Sequence, residues 1–406
     1  FSDKLKFQSN LRFAETYLQY DKEVDTSTAT HDEEVDGIES STNMSFIYEL
    51  NKKFTNKITL AKTYIKRIYA ATENSGNAMQ DNYYGDRYSY TYMGDYNFNL
   101  DNSIVFGIER EEDQIGYNKD MSGREDKHNH VNSIYYDFQN RVANNFYITI
   151  GSRFDEHSIA GNEESHRATA AYIFDDKSLK LKGSYGTGFR FPSLYELYFV
   201  YAANTQSIDY VKAENSRSYD IGVEKFFSNI NLMLEATYFN LKYDDVLEGW
   251  KNGTSSGVAY TTQNMPGTVK SQGLELVSKW NVNNNLNFGL NYTYTSTYDG
   301  AEQDDPNKNA SYTNAQMVRV PRNIINLKTN FKIPNYENLD FTLNSKWSDV
   351  ARDYGNGNRS YNDERTDDYL VNDLIIKYNL WNSYNIFLNV TNLLNEKYET
   401  ARDYSQ

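Results

Sequence analysis

The sequence predicts an all-β protein, an antiparallel transmembrane β-barrel, and three observations carry that prediction. Apolar residues recur with period 2 from end to end, tight turns alternate with long polar loops, and tyrosine dominates the composition, with 37 Tyr against 5 Pro in 406 residues.

The alternation is clearest where Phe146, Ile148 and Ile150 interleave with Tyr147, Thr149 and Gly151. Leu286, Phe288, Leu290 and Tyr292 alternate with Asn287, Gly289, Asn291 and Thr293, and Ile386, Leu388 and Val390 with Asn385, Phe387 and Asn389. Successive strand side chains point to opposite faces, so each segment has one apolar and one polar face. A soluble sandwich shares that property, so the connections must discriminate. Tight turns at Asn51 to Thr55, Phe98 to Asn102, Asp175 to Ser178, Phe227 to Ile230, Trp280 to Asn285 and Asn379 to Ser383 alternate with polar loops. The loops fall roughly at 21–39, 71–84, 111–128, 156–165, 190–214, 244–257, 299–316 and 353–366. Short turns on one side and longer loops on the other are the pattern of outer-membrane barrels. The segments between them reach the roughly 9–11 residues that a tilted crossing needs. About seventeen strands result, with Val258 to Trp280 read as one long strand bulged at Pro266, because proline cannot donate to the ladder. No linker or fixed-period repeat divides residues 1–406, which read as a single domain.

Composition supports this reading and removes others. Mean hydropathy is -0.78, and no window holds the roughly 18 consecutive apolar residues of a spanning helix. Barrel strands give a much weaker hydropathy signal and survive that test. Aromatics make up 15% of the chain, and tyrosine suits membrane–water girdles. A formal charge of -15 argues against a nucleic-acid partner, since phosphate binding needs a basic footprint. With no cysteine there is neither a disulfide scaffold nor a thiolate metal site. No signal peptide follows Phe1, so a processed or truncated start is expected.

The chain is organised around Gly183 to Tyr201, GSYGTGFRFPSLYELYFVY. Leu179, Leu181 and Tyr185 alternate with Lys180, Lys182 and Ser184 as a strand, which runs through Gly-Thr-Gly into an aromatic loop begun by Pro192. The run Gly188-Phe189-Arg190-Phe191-Pro192-Ser193-Leu194-Tyr195-Glu196-Leu197-Tyr198 resembles the FRAP-type segment of TonB-dependent outer-membrane receptors. Four further family-like signatures follow in order: Glu214-Asn215-Ser216 with Tyr219, Tyr238-Phe239-Asn240 leading to Asp245, Gly273-Leu274-Glu275, and Asn392-Leu393-Leu394-Asn395 with Lys397-Tyr398. Spacing and loop lengths are most similar to the cobalamin receptor branch, from about Leu11 to Tyr404.

The resemblance implies a barrel of about 22 strands, an N-terminal plug domain that contacts TonB, and a final strand ending in an aromatic residue. Plug, first strands and last strand are not recognised here, so the chain reads as a fragment, expected to form an open sheet with two strand edges. Ala213 stands where the family usually has proline, which opens the question of the local loop shape. The implied setting is the bacterial outer membrane, with a monomer in contact with TonB through the plug, a small-molecule ligand, outer-membrane lipid and lipopolysaccharide.

Candidate chemistry follows. No nucleophilic triad is visible and no cofactor is required, so an enzyme is not expected. His128 and His130 share a strand face with a chelating spacing, and a solvated pair at the lumen rim is the simpler reading. The loop 20–39 gathers Asp21, Asp25, Asp32, Glu33, Glu34 and Asp36, hard oxygen donors that suit calcium, although a solvated acidic loop explains them too. The cobalamin branch orders its outer loops with calcium, and the resemblance places that role on Asp21 and Asp25. For the ligand, Arg190 and the aromatic Tyr195, Tyr198, Phe199, Tyr201 and Tyr210 are the candidates. Aromatic surface with hydroxyl handles suits a large, partly apolar ligand, while girdle and loop packing would use the same residues. Haem receptors of the family carry a histidine after the FRAP-type segment, and residues 190–270 contain none. Ferric catecholates favour basic pockets, whereas these loops are acidic, so cobalamin ranks first and a ferric siderophore second. A passive porin or a structural barrel remains the reading from another class.

Overall fold

The computed structural model describes residues 3–406 except 21–32, 73–77, 119–124, 199–210, 255–256, 266, 301–315, 337, 356–359, 381–383, 402–403 and 406. In chain order the elements are β1 (Leu5–Tyr20), β2 (Glu33–Asn51), β3 (Phe54–Thr72), β4 (Ala78–Asn97), β5 (Asn102–Asn118), β6 (Glu125–Ala143), β7 (Phe146–His157), β8 (Gly161–Ile173) and β9 (Leu179–Arg190). The short helix α1 (Leu194–Tyr198), β10 (Glu214–Phe227) and β11 (Leu232–Asp244) come next, then β12 (Leu247–Thr254), β13 (Gly257–Asn264), β14 (Thr268–Asn283) and β15 (Leu286–Asp299). The chain continues through β16 (Asn323–Lys332), β17 (Leu339–Ser348), β18 (Arg352–Gly355), β19 (Ser360–Arg365), β20 (Tyr369–Leu380), β21 (Tyr384–Val390), β22 (Glu399–Ala401) and β23 (Tyr404–Ser405).

Seventeen of these strands form one antiparallel sheet. Each pairs with the next in a meander, and β11 passes to β14 and β17 to β20 across the small hairpins β12–β13 and β18–β19. At the ends of the ladder, β1 pairs with β2 and β21 with β20, and no rung joins β1 to β21 among the described residues. Lacking a second neighbour, both carry large exposed side chains, Leu11 at 78% and Phe387 at 74%.

Apolar side chains lie on the outer face rather than in a packed interior. Ile58 and Leu60 of β3, Ile108 of β5, Ile134 and Tyr136 of β6, and Ile150 and Phe154 of β7 are all exposed, as a lipid-facing band requires. Trp280 and Phe288, in register and 6.1 Å apart, mark the band's lower edge beside the β14–β15 turn. A small buried cluster of Met265 and Val269, packed against Val246 and Met317, fastens the base of the β12–β13 hairpin.

Several sequence-based expectations need correction. Much of 71–84 and 111–128 is strand, because β4 begins at Ala78, β5 runs to Asn118 and β6 begins at Glu125. These extensions have polar residues on both faces, so period 2 disappears from the sequence while interstrand ion pairs such as Arg87 to Asp113 and Lys62 to Asp86 hold the ladder. The stretch 156–165 is mostly strand around a tight turn at 158–160, where His157 Nδ1 accepts the backbone N–H groups of Ile159 and Ala160 at 3.0 and 2.9 Å and Gly161 adopts φ +84°, a conformation glycine reaches without strain. Val258 to Trp280 is two strands. β13 pairs with β12, β14 pairs with β11 and β15, and Asn264 ends the first by donating from Nδ2 to the carbonyls of Lys212 and Asp245. The same asparagine accepts the Lys212 N–H at 2.8 Å, and Ala213 is fully buried beside it. That contact fixes the loop shape without proline.

Candidate ligand-binding site

Alternate residues of β3 to β7 meet side by side on the lumen face. Arg67 is in register with Tyr83 and Tyr83 with Tyr117. Arg87 faces Asp113, which faces Asn129, and one step lower Glu111, Val131 and His157 form a third row. The loop after β9 folds over these rows, and together they enclose a cleft of about 820 Å³ lined also by Ile65, Phe191, Leu194 and Tyr195.

The loop is shaped by its own sequence. Pro192 is almost wholly buried, and Ser193 caps α1 as a capping box, accepting the Glu196 N–H at 3.2 Å while Glu196 Oε2 accepts the Ser193 N–H at 2.7 Å. Arg190 then closes the structure. Its Nη1 and Nη2 each donate to Glu196 at 3.0 Å, and its Nε donates to Glu214 Oε2 at 2.5 Å. Glu214 Oε1 accepts the Leu247 N–H at 2.6 Å, so one guanidinium links β9, α1, β10 and the base of the outer hairpin. The hydrogen bonds to Glu214 and Glu196 raise the Arg190 pKa further. Burial pushes the Glu196 carboxyl up, but Arg190 and the Ser193 N–H outweigh it and hold the group below its ordinary value.

Tyrosines build the apolar wall. Tyr83 stacks on Tyr117 at 4.7 Å, meets Tyr69 edge-on at 5.5 Å, and is tilted against Tyr195 at 6.2 Å. Phe191 packs on the His157 ring at 4.7 Å. His157 is 5% exposed and lies past Phe154, the outermost apolar side chain of β7. Burial lowers its pKa, against the pull of Asp113, and the Asn129 amide nitrogen lies 3.0 Å from Nε2.

The cations of the cleft differ in one respect. Arg87 is neutralised by a two-pronged bond to Asp113 at 2.6 and 2.9 Å and by Glu111 at 3.0 Å, and Arg190 by its two glutamates. Arg67 donates to the Lys66 carbonyl at 3.2 Å and has no carboxylate partner among the described residues. Its charge is therefore available to an anion entering from outside.

Of the residues singled out from sequence, Tyr195 lines the cleft, Arg190 lines it with its guanidinium already engaged, and Tyr198 stands beneath Lys127 Nζ at 5.1 Å. Phe199, Tyr201, Tyr210, Asp21 and Asp25 lie outside the described residues. His128 and His130 do share a face, but it is the outer one, continuous with Ile134 and Tyr136, and not the lumen rim. Among the described residues no three acidic or histidine side chains cluster as a metal site. Arg67, Tyr83, Tyr117, Asp113 and His157 were not anticipated. Most sit in or beside the stretches taken for loops.

The family description "TonB dependent receptor-like, beta-barrel" matches residues 2–393. No curated protein matches the sequence. Among solved structures, the siderophore receptor PiuA from Acinetobacter baumannii superposes with a TM-score of 0.73 at 15% identity, over 98% of this chain and 69% of that one. The ferric-catecholate import receptor Fiu from E. coli K12 gives 0.74 at 14% identity, over 98% and 69%. The outer membrane transporter YddB from Escherichia coli gives 0.78 at 13% identity, over 98% and 64%. At such identities the superpositions speak for the fold, and the family match carries the assignment: this chain belongs to the TonB-dependent receptor β-barrel family and is a multi-strand barrel of the bacterial outer membrane.

Proposed function

We propose that the chain forms the wall and outer binding surface of a TonB-dependent importer, and that its ligand is an anionic, aromatic iron chelate of the siderophore kind. The observation behind this is the Arg67 guanidinium, the cation of the cleft left without a carboxylate, set in register with Tyr83 and close to the Tyr195 wall. Anions gain from an unpaired guanidinium in a partly dehydrated cleft, and planar aromatic groups gain from tyrosine faces. The overall acidity of the chain does not oppose this, because local potential, not net charge, governs a pocket. PiuA and Fiu, named for siderophore and ferric-catecholate import, are consistent with it.

A cobalamin-like corrinoid is the second reading. It is favoured by the tyrosine stack, which would accept a large uncharged ring system without using Arg67. In that reading calcium is held by Asp21 and Asp25, and Tyr198, Phe199, Tyr201 and Tyr210 are the aromatic residues that would meet the ligand. In either reading the energy comes through TonB acting on a plug domain. The deciding experiment is equilibrium binding by the whole protein. Affinity for a ferric catecholate, with none for cyanocobalamin, supports the first reading; calcium-dependent cyanocobalamin binding replaces it with the second; binding of neither removes both.

A further inference from the structure

On the lipid face of β10, β11 and β14 three cations stand in register. Arg217 is opposite Lys242, and Lys242 is opposite Lys270, whose ammonium lies 5.6 Å from the ring of Tyr298, its own partner on β15. They share the outer face with Ile221, Tyr238 and Leu274, since side chains two apart on a strand lie on one side. One carboxylate serves the row. Asp244 bonds Arg217 at 3.0 Å and Lys242 at 3.1 Å, and Lys270 has no carboxylate partner among the described residues. Three positive charges against one negative leave a surplus of two.

Like charges directly opposite each other weaken a sheet, so the row needs an anion from elsewhere. Its depth says where the anion lies. Lys270 is ten residues from Trp280 at the band's lower edge. At roughly 3.3 Å per residue and a tilt near 40° that is about 25 Å along the membrane normal, the height of the apolar band of such barrels. Neighbouring strands step by about 3 Å at this tilt, so all three cations fall within the outer headgroup layer. Elsewhere on the outer face Lys62 is matched by Asp86 at 3.2 Å and Arg110 by Glu112 at 2.7 Å, while Lys66 lies 5.7 Å from the Tyr84 ring with no carboxylate partner among the described residues. On β10, β11 and β14, by contrast, three cations stand side by side around one carboxylate.

We propose that Arg217, Lys242 and Lys270 form a binding site for the phosphate groups of an outer-leaflet lipid headgroup, with Tyr298 flanking it. The guanidinium offers a fork, the two ammonium groups offer point charges, and the acyl chains of the same lipid lie along the Tyr238 and Leu274 face below.

The test uses the whole protein purified in detergent, with lipopolysaccharide bearing both lipid A phosphates and the same material after enzymatic dephosphorylation as probes, read by native mass spectrometry. Wild type is expected to hold the phosphorylated form at least about tenfold more tightly, and the pair Lys242→Gln with Lys270→Gln to lose that preference while keeping heat-modifiable gel mobility. Inorganic phosphate in excess is expected to compete weakly, since it lacks the acyl chains. Equal binding of both lipids by wild type overturns the proposal whatever the variant does. So does a folded double variant that keeps the preference.

Discussion

Arg190 and Glu196 meet through two parallel hydrogen bonds of 3.0 Å, and Glu214 grips the remaining Nε of the same guanidinium at 2.5 Å. The arrangement makes Arg190 a clasp on the loop roof more than a hand for the ligand. Its consequence is that the roof position depends on charge pairing near the surface. A charge-assisted bond contributes about 1.5–3 kcal/mol when well enclosed; with the Arg190 side chain 48% exposed screening reduces this to roughly 1 kcal/mol. Glu196→Gln is therefore expected to free α1 locally, lowering amide protection at Leu197 severalfold and ligand affinity about tenfold, with the barrel's unfolding midpoint unchanged. Hydrogen exchange and equilibrium binding measure these, and unaltered Leu197 protection would show that the clasp does not hold the helix.

Arg67 separates the two ligand readings. Replacing it with glutamine removes the cleft's uncompensated charge while keeping a donor. Affinity for a ferric catecholate should fall by about tenfold to a hundredfold, as expected for a charge-assisted contact of about 1.5–3 kcal/mol, and should become less sensitive to salt. Cyanocobalamin binding, if present, should not respond. Titration of wild type and variant at two ionic strengths gives the answer, and an equal response of both ligands excludes Arg67 as an anion contact.

His157 predicts a pH dependence confined to the acid side. Burial holds its pKa below the ordinary value of about 6.5, so the folded state binds fewer protons than the unfolded one and stability rises with pH in that range. Above about pH 6.5 the ring is neutral in both states and nothing is lost. As pH falls below that value the penalty grows until the folded ring itself protonates. Asp113 favours the proton, while His130 opposes it. A protonated ring cannot accept from Ile159 and Ala160 at Nδ1, so the turn should open there first. Protection of those two amides should fall between pH 7 and pH 5 beyond the intrinsic change in exchange rate. In His157→Gln the profile should be flat, and a flat wild-type profile rejects the mechanism.

The sequence made the barrel legible wherever one face meets lipid, because burial of alternate residues in hydrocarbon imposes period 2. Phe146 to Ile150 and Leu286 to Tyr292 are strands as read, and the seventeen-strand sheet agrees with the count. Legibility failed above the membrane. Tyr83, Asp113 and Tyr117 lie on strand extensions wet on both faces, where the only organising force is pairing between strands, and no single strand records its neighbour's charges. Arg190 was visible as a motif residue, but its two glutamates lie 6 and 24 positions away, and only the fold brings them together. The failure at Val258 to Trp280 has another cause. Asn264 ends β13 through bonds to Lys212 and Asp245, tertiary contacts that residue spacing does not reveal.

One motif acquires a physical reason that can be tested apart from any ligand. Gly273, the first residue of the Gly273-Leu274-Glu275 signature, faces the lumen beneath the Phe239 ring, and a Cβ there would lie 2.7 Å from the ring's tip and collide with the Tyr294 carbonyl. A ring edge can shift, but the carbonyl belongs to the β14–β15 ladder, so relief requires the strands to move. Gly289, also on the lumen face, is open, with Lys328 Cβ 3.9 Å from its built Cβ. Overpacking of this kind costs about 1–3 kcal/mol. Gly273→Ala is expected to lower the urea midpoint for unfolding in lipid, whereas Gly289→Ala should leave it unchanged or raise it slightly by restricting the unfolded chain. Equal midpoints for the two variants would mean that the strands yield freely at Gly273, and the close approach of Phe239 would then be a consequence of the glycine and not the reason for it.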